Sequence, residues 1–215
     1  MPKEAAQKWW AHHHLPVKKK TASFAVDAAH SSSTIEVTKG ATGDEEECNN
    51  NNGDQIIRGK GLALSSVSIE QDSAYWEIRI GTTDGQDDEH DENAFEILKF
   101  GVAKQCSTLE LNSIQDISED DDSNRFFLRG IPNLVDGDIV GVAVQQSDLP
   151  MVQFIINGEP LHHMAINRFR GSVYPAVWLP LPDALQVEFI WDEGQWKYEP
   201  PSAKFKAIML ARSIV

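Results

Sequence analysis

The 215-residue sequence has few cysteines and no long apolar run. Its two cysteines, Cys48 and Cys106, are too few for a disulfide framework, and no Asn-x-Ser/Thr glycosylation signal occurs. No segment has the length and apolarity of a membrane-spanning helix, and the basic N-terminus lacks the apolar core of a signal peptide. We therefore expect a cytoplasmic protein that folds without disulfides or cofactors.

Lysine and arginine are missing from three acidic runs, which lie at 44–47, 84–92 and 116–122. These runs hold 15 of the 33 acidic residues and leave 18 acids against 19 bases elsewhere, so the net charge of −14 belongs to them. The second run fails the EF-hand spacing at its glycine and at its final glutamate. We interpret the runs as solvated loops. We predict no nucleic-acid partner, because the remainder of the chain is nearly neutral and phosphate contacts need clustered lysine and arginine side chains.

Catalytic signatures are also missing. The sequence contains no G-x-S-x-G, H-E-x-x-H or C-x-x-C pattern. The stretch Gly53–Gly61 resembles a phosphate-binding loop but has one residue too many, and glycine stands where serine or threonine should bind magnesium. The adjacent His162 and His163 would point to opposite faces of an extended strand, so they could not both ligate one ion. We predict no catalytic residues and no metal site.

Alternation of apolar and polar residues dominates the chain from about residue 24. In AYWEIRI the pattern places Trp76 on a core face and Glu77 on the opposite, solvent face, whereas GDIVGVAV is apolar on both faces, as in a central strand. Further strands are predicted at 34–38, 56–64, 98–104, 125–131, 151–156, 173–179 and 185–191. Many short strands with turns between them predict an all-β antiparallel sandwich or barrel.

Two local signals mark the ends of strands. Asn157-Gly158 predicts a two-residue hairpin, because both residues tolerate the positive φ of a type I′ turn, and Pro160 predicts a short or edge return strand. Pro200 and Pro201 end the strand pattern. After them, Ser202 is predicted to cap a short helix whose apolar face docks on the domain through Phe205, Ile208 and Met209.

Five motifs in a fixed order resemble the SPRY domain family. They are YWEIRI and FGVAK in the first half, followed by GDIVG, FIING and YPAV in the second. The chain is also similar to small family members that consist of one SPRY domain, through pieces such as HLPVKKKTASFAVDAAH, GKGLAL and YEPPSAKFKAIMLARSIV. One departure is the stretch before GDIVG, which lacks the family's D-G-x-x-Y return strand, so that hairpin is expected to be shortened.

This resemblance implies a bent, concanavalin-like jelly-roll sandwich of two antiparallel sheets. It also implies a non-catalytic protein-interaction module, monomeric and without cofactors, that captures a short segment of a partner protein with its rim loops. The candidate contact residues are Trp178, Leu179, Pro180, Leu181, Pro182 and Asp183. The alternative, in which Trp178 belongs to the core and Leu181 packs under a neighbouring loop, stays open.

The resulting organisation has three parts. Residues 1–23 form a tail, 24–198 the SPRY domain and 199–215 a C-terminal segment that docks on it, with acidic insertions at 41–54, 83–93 and 112–123. Two other functions stay open at this point. The many acids permit a carbohydrate-binding or glycoside-processing protein on a similar sandwich, and Trp9-Trp10 with nearby lysines permits membrane contact through the tail.

Overall fold

The computed structural model of the protein describes residues 25–39, 55–83, 95–117, 124–167, 169–180 and 185–209. Within these ranges the chain forms two antiparallel sheets and one short α-helix. The all-β, two-sheet fold class expected from the alternation is confirmed. The acidic runs at 44–47 and 84–92, the tail with its tryptophans and histidines, and Cys48 lie outside the described residues.

The larger sheet has eight strands across the described ranges. In spatial order they are β1 (Glu36–Lys39), β2 (Gln55–Arg58), β12 (Leu185–Ile190), β4 (Ser73–Thr82), β7 (Ile139–Gln145), β8 (Met151–Ile156) and β10 (Ile166–Asn167), with β9 (Glu159–Pro160) also beside β8. The smaller sheet contains β3 (Gly61–Leu64), β11 (Tyr174–Leu179), β5 (Lys99–Ala103) and β6 (Phe126–Gly130). The helix α1 spans Thr108–Asn112.

The main core lies between the two sheets. Alternate residues of the central strands point into it, among them Trp76 of β4, Phe154 of β8 and Phe189 of β12 from one side, and Phe100 of β5 from the other. Burial of such large side chains supplies most of the driving force for folding, at about 25 cal/mol for each Å² of apolar surface removed from water.

The predicted hairpin at Asn157-Gly158 is confirmed. Both residues have positive φ, +48° and +90°, and Ile156 pairs directly with Glu159 across a two-residue turn. The return strand β9 is only two residues long and ends at Pro160, as its missing N–H predicts. Gly158 has a second constraint, because an added Cβ would lie 2.9 Å from the ring of Tyr198.

The single strand predicted at 56–64 is wrong, because it is two strands that belong to different sheets. The extended conformation is interrupted at Gly59 and Gly61, whose φ angles are +104° and +118°. A Cβ on Gly59 would overlap the carbonyl oxygen of Thr34, so the approach of another segment requires glycine there. The break leaves Lys60 in the turn between β2 and β3, where its side chain is exposed.

The predicted solvent-facing position of Glu77 is also wrong. Its side chain is 0% exposed, and it accepts hydrogen bonds from Lys197 N at 2.8 Å, Tyr198 N at 2.9 Å and the Tyr75 hydroxyl at 3.1 Å. Residues 192–209, which we call the C-terminal strap, provide this cover by crossing the outer face of the larger sheet. Alternation alone could not reveal a second layer on that face.

No helix forms in the strap over residues 199–209, so the predicted Ser202-capped helix is wrong there. Tyr75 N instead donates to the carbonyl of Lys206 at 2.9 Å, in a bridge to β4. Phe205 is buried against Tyr75 and the larger sheet, whereas Met209 is exposed. Pairing of the strap backbone with β4 thus replaces the hydrogen bonds that a helix would have made.

Among the residues described, no helix has both the length and the apolarity to cross a membrane.

Candidate functional site

Strand β11 places the first predicted contact residues on opposite faces of the smaller sheet. Leu179 is buried in the main core between the sheets, whereas Trp178 is on the outer face and only 1% exposed. Pro180 is partly exposed just after the strand, and Leu181, Pro182 and Asp183 lie outside the described residues. Trp178 is held in register by pairing with Leu62 of β3 and Lys99 of β5.

A second apolar cluster covers the outer face of the smaller sheet. Residues 104–117, here called the cover segment, place Cys106, Leu111 and Ile117 over that face, in the cluster that contains Trp178. Helix α1 begins within this segment at a capping box, in which the Ser107 hydroxyl accepts from Glu110 N and the Glu110 carboxylate accepts from Ser107 N. Trp178 is therefore part of a packed layer and has little free surface.

A pocket of about 390 Å³ opens where this layer meets the free edge of β3. Its apolar side is formed by Trp178, Leu111 and Ile114, and Gly61 leaves room beside them. The full lining, which we call the Trp178 pocket, is Ser32, Ser33, Thr34, Lys60, Gly61, Leu111, Asn112, Ile114, Gln115 and Trp178. This volume lies within the range of pockets that hold small ligands or a few side chains.

The opposite wall comes from residues 26–35, the edge loop, which closes the free edge of β3. The Ser32 hydroxyl accepts from Leu62 N and the Ser31 hydroxyl accepts from Leu64 N, each at 3.0 Å. A Cβ on Gly61 would overlap the Ser32 hydroxyl, so the close approach requires glycine. Because these backbone groups are already paired, this edge does not offer them to an added partner strand.

Hydrogen bonds join the two walls across the top of the smaller sheet. Ser33 N donates to Asn112 Oδ1 at 2.9 Å, and the Thr108 hydroxyl donates to the carbonyl of Ala29 at 2.7 Å. These links connect the edge loop to helix α1, which is far away in the sequence. The pocket is thus held open by a structured frame and does not depend on one loop.

The pocket lining carries one charged side chain among the described residues, Lys60. Thr34 donates its hydroxyl to the backbone carbonyl of Lys60, which fixes the turn, and in the described part of the chain no carboxylate pairs with the Lys60 ammonium. The neighbouring Lys99 is different, because it bonds Asp116 at 2.9 Å and the carbonyl of Ile117.

Two titratable groups of the cover segment, Cys106 and Glu110, have pKa values shifted from their ordinary values. Hydrogen bonds from the Ser107 backbone and hydroxyl, with a smaller effect of Arg125, hold the pKa of Glu110 below its usual value. Burial raises the pKa of the Cys106 thiol, although Arg125 opposes this. Cys106 is 4% exposed, and a buried thiol with a raised pKa is a poor nucleophile.

A second pocket, of about 420 Å³, lies at the edge of the C-terminal strap. It contains two lysines, but Lys204 donates to Gln145 Oε1 at 2.6 Å and Lys206 donates to Glu193 Oε1 at 3.3 Å. The carboxylate of Asp72 also lines it. Both of its lysines are therefore engaged, unlike Lys60.

The histidine pair takes no part in either pocket. His162 and His163 lie in a 3₁₀ turn after β9 and are exposed, so the extended geometry considered for them does not occur. In the residues that the structure describes, no three histidine, cysteine, aspartate or glutamate side chains come together as a potential metal site.

Sequence reasoning missed most of the pocket, including Lys60, the edge loop and the cover segment. One signal was available, because Ser107 with Glu110 is an S-x-x-E capping box and predicts a helix start. Nothing in the sequence indicated that this helix would cover the outer side of Trp178. The joining of residues 29–34 to 108–115 is a product of the tertiary fold.

No family model and no curated protein sequence matches the chain. Solved structures do match. The crystal structure of the Drosophila melanogaster Neuralized NHR1 domain is 12% identical, with a TM-score of 0.50, over 78% of this chain and 97% of that one. The human HERC1 SPRY domain is 15% identical, with a TM-score of 0.40, over 63% of this chain and 87% of that one.

A further similar structure is the TRIM65 PSpry domain, which is 10% identical with a TM-score of 0.43, over 88% of this chain and 97% of that one. At these identities a likeness concerns the fold alone, and the argument for it rests on the Neuralized domain and on the observed sheets. The chain has a fold of two antiparallel sheets that is similar to the fold of the Neuralized NHR1 domain.

Proposed function

We propose that this chain is a non-catalytic SPRY module that captures a short segment of a partner protein at the Trp178 pocket. The observation that carries the proposal is a framed pocket beside the nearly buried Trp178, at the end of β11 that precedes the predicted contact residues 180–183 in the chain. SPRY-type domains generally bind other proteins, and the five sequence motifs that resemble this family agree with a chain that acts through binding. We place it in the cytoplasm as a monomer.

The roles of the candidate residues differ within this proposal. Trp178 provides the floor, and Leu179 anchors the end of β11 in the core, where it makes no partner contact. Pro180 and the following Leu181, Pro182 and Asp183 form the proposed rim. Binding energy at interfaces is usually concentrated in a few apolar anchors held in a pocket, which is the arrangement proposed here.

The composition of the lining favours binding over catalysis. Its described residues include no carboxylate, histidine or cysteine. A glycoside-processing site needs two carboxylates on either side of the scissile bond, and acid–base chemistry needs a group that titrates near neutral pH. The serine, threonine, asparagine and glutamine side chains of the pocket can instead form hydrogen bonds with a peptide backbone.

Occlusion of the pocket tests the proposal. Ser33 is exposed, and among the described residues only its backbone N–H has a hydrogen-bond partner, so Ser33→Tyr should fill the pocket without disturbing the core. Ser66→Tyr at the other end of β3 is a matched control, because Ser66 is also exposed. The measurement is quantitative affinity capture from cell extract with the full chain, after circular dichroism has shown that each variant is folded.

Partners captured by the wild type should be lost with Ser33→Tyr and with Leu181→Asp, and retained with Ser66→Tyr. Ser33→Tyr probes the pocket, and Leu181→Asp probes the proposed rim. The same set of partners on all four proteins would show that this surface is not the binding site.

A further inference from the structure

The Trp178 pocket combines an apolar floor with hydrogen-bond donors that have no acceptor among the described residues. Asn112 uses its Oδ1 atom to accept from Ser33 N, which leaves Asn112 Nδ2 as a donor toward the pocket. The Ser33 hydroxyl and the Lys60 ammonium also line the pocket without a protein partner in the described ranges. A ligand that matches these groups must supply acceptors.

The charge of Lys60 stands out against its surroundings. The chain has a net charge of −14, yet the described lining of this pocket carries one cation and no carboxylate. Other cations nearby are engaged, since Lys99 pairs with Asp116 and Arg58 donates to Gln186 Oε1 at 2.7 Å. An unpaired cation beside buried apolar side chains provides favourable electrostatics for one anionic group.

We propose that the Trp178 pocket selects a partner segment in which a carboxylate lies next to an apolar side chain. The apolar side chain would lie against the partly exposed Ile114, over the nearly buried Trp178 and Leu111, and the carboxylate would accept hydrogen bonds from Lys60 and Asn112. The inference rests on the proposed function and specifies the chemistry of the captured segment. It concerns an aspartate, a glutamate or a C-terminal carboxylate of a protein.

The size of the charge favours a carboxylate over a phosphate. A phosphorylated side chain carries about −1.5 to −2 charges at neutral pH, so Lys60 would leave part of that charge uncompensated in an acidic protein. A carboxylate carries one charge, which one ammonium group balances. The apolar floor likewise suits a side chain beside that carboxylate better than it suits a nucleic-acid backbone.

A displayed library of random short peptides, selected on the full chain, tests the inference. Enriched peptides are synthesised and their Kd is measured on the wild type, Lys60→Gln and Ser33→Tyr. Arg170→Gln is the matched control, because Arg170 is exposed beyond the other end of β11 and the substitution removes the same charge. Lys60→Gln should weaken binding about three- to tenfold and Arg170→Gln less than about twofold.

Three results separate the inference from the function on which it rests. Enrichment of an acidic residue beside an apolar one, with the stated Lys60 effect, supports both. Peptides that are lost with Ser33→Tyr but bind Lys60→Gln as well as the wild type would overturn the inference and leave the proposed function standing. A selection that yields no peptide sensitive to Ser33→Tyr would overturn both.

Discussion

The two sheets carry different covers on their outer faces. The C-terminal strap closes the larger sheet with a buried aromatic ring, Phe205, and with two backbone N–H groups that donate to one buried carboxylate, Glu77. The cover segment closes the smaller sheet through apolar contacts of Leu111 and Ile117, and its edge borders the Trp178 pocket. The strap pairs two backbone donors with Glu77, although Trp196 Nε1 is buried without a hydrogen-bond partner among the described residues. At the smaller sheet, Asn112 Nδ2, the Ser33 hydroxyl and the Lys60 ammonium border the pocket without an acceptor in the described ranges.

This difference distinguishes polar groups that stabilise the fold from polar groups that a partner can reach. An unpaired polar group in the interior costs about 1–3 kcal/mol, so the hydrogen bonds to Glu77 stabilise the fold. An exposed donor such as the Lys60 ammonium costs little, because water satisfies it until a ligand arrives. The buried carboxylate is the more conspicuous chemical group, but the exposed donors are the ones that a partner can reach.

Removal of the aromatic anchor of the strap should have the largest effect. Phe205→Ala leaves a cavity against Tyr75, Ala143 and Ile155, and we expect the free energy of unfolding to fall by about 4 kcal/mol. The measurement is equilibrium urea unfolding. Peptide binding at the Trp178 pocket should stay unchanged in conditions where the variant is folded, because the strap does not line that pocket.

Leu111→Ala is the matched variant in the other cover. It should lower the free energy of unfolding by about 3 kcal/mol and also weaken binding, since Leu111 is both packed on the smaller sheet and part of the pocket. If Phe205→Ala weakens binding as much as Leu111→Ala does, the two covers are not functionally distinct.

Replacement of the buried carboxylate should have an intermediate effect. Glu77→Gln puts an NH₂ group against one of its three donors, and we expect a loss of about 2 kcal/mol in urea unfolding. The control is Glu188→Gln on the adjacent strand, where the ion pair with Arg79 is partly exposed and worth less than about 1 kcal/mol. Equal losses would mean that the strap is not anchored by Glu77.

The smallest effect at neutral pH should come from Tyr75→Phe, which removes one hydrogen bond and about 1 kcal/mol. Burial, reinforced by the nearby Glu77 carboxylate, raises the pKa of the Tyr75 hydroxyl above its ordinary value of 10.0. The folded protein therefore holds this proton more tightly than the unfolded chain does. The contribution of the Tyr75 hydroxyl to the free energy of unfolding is fully present below pH 10 and is lost as the pH rises toward the pKa of the folded state.

The stability difference between wild type and Tyr75→Phe should accordingly shrink above about pH 10. It is measured by urea unfolding at a series of pH values from neutral to alkaline. A difference that stays constant across that range would show that the hydroxyl is not buried beside Glu77, and the strap would then be looser than the structure indicates.

Much of the fold could be predicted because its signals are local. Alternation located most strands, and Asn157-Gly158 located the hairpin, since positive φ at two successive residues is a property of those residue types. The prediction of one strand at 56–64 failed because glycine permits a break without requiring one. Only the approach of Thr34 and Ser32 shows why Gly59 and Gly61 turn the chain there.

The candidate site could be predicted only in part. The SPRY resemblance directed attention to Trp178, and the structure places Trp178 in the wall of a pocket. Sequence alternation could not show that its outer face is covered by residues 104–117, because a strand with a covered outer face resembles a central strand in any layered fold. The wall that contains Lys60 and Ser33 comes from contacts of long sequence separation, which no local pattern reports.

By itself the sequence determined the all-β fold class, because strand periodicity, turn residues and the location of the acidic runs are short-range properties of the chain. Only the tertiary structure decided which outward-facing residues are buried and which are available. Glu77 and Lys60 are both charged residues in or beside strands, and nothing in their local sequence distinguishes their roles. The strap encloses the first and the edge loop leaves the second in solvent, because burial depends on segments that are distant in the chain.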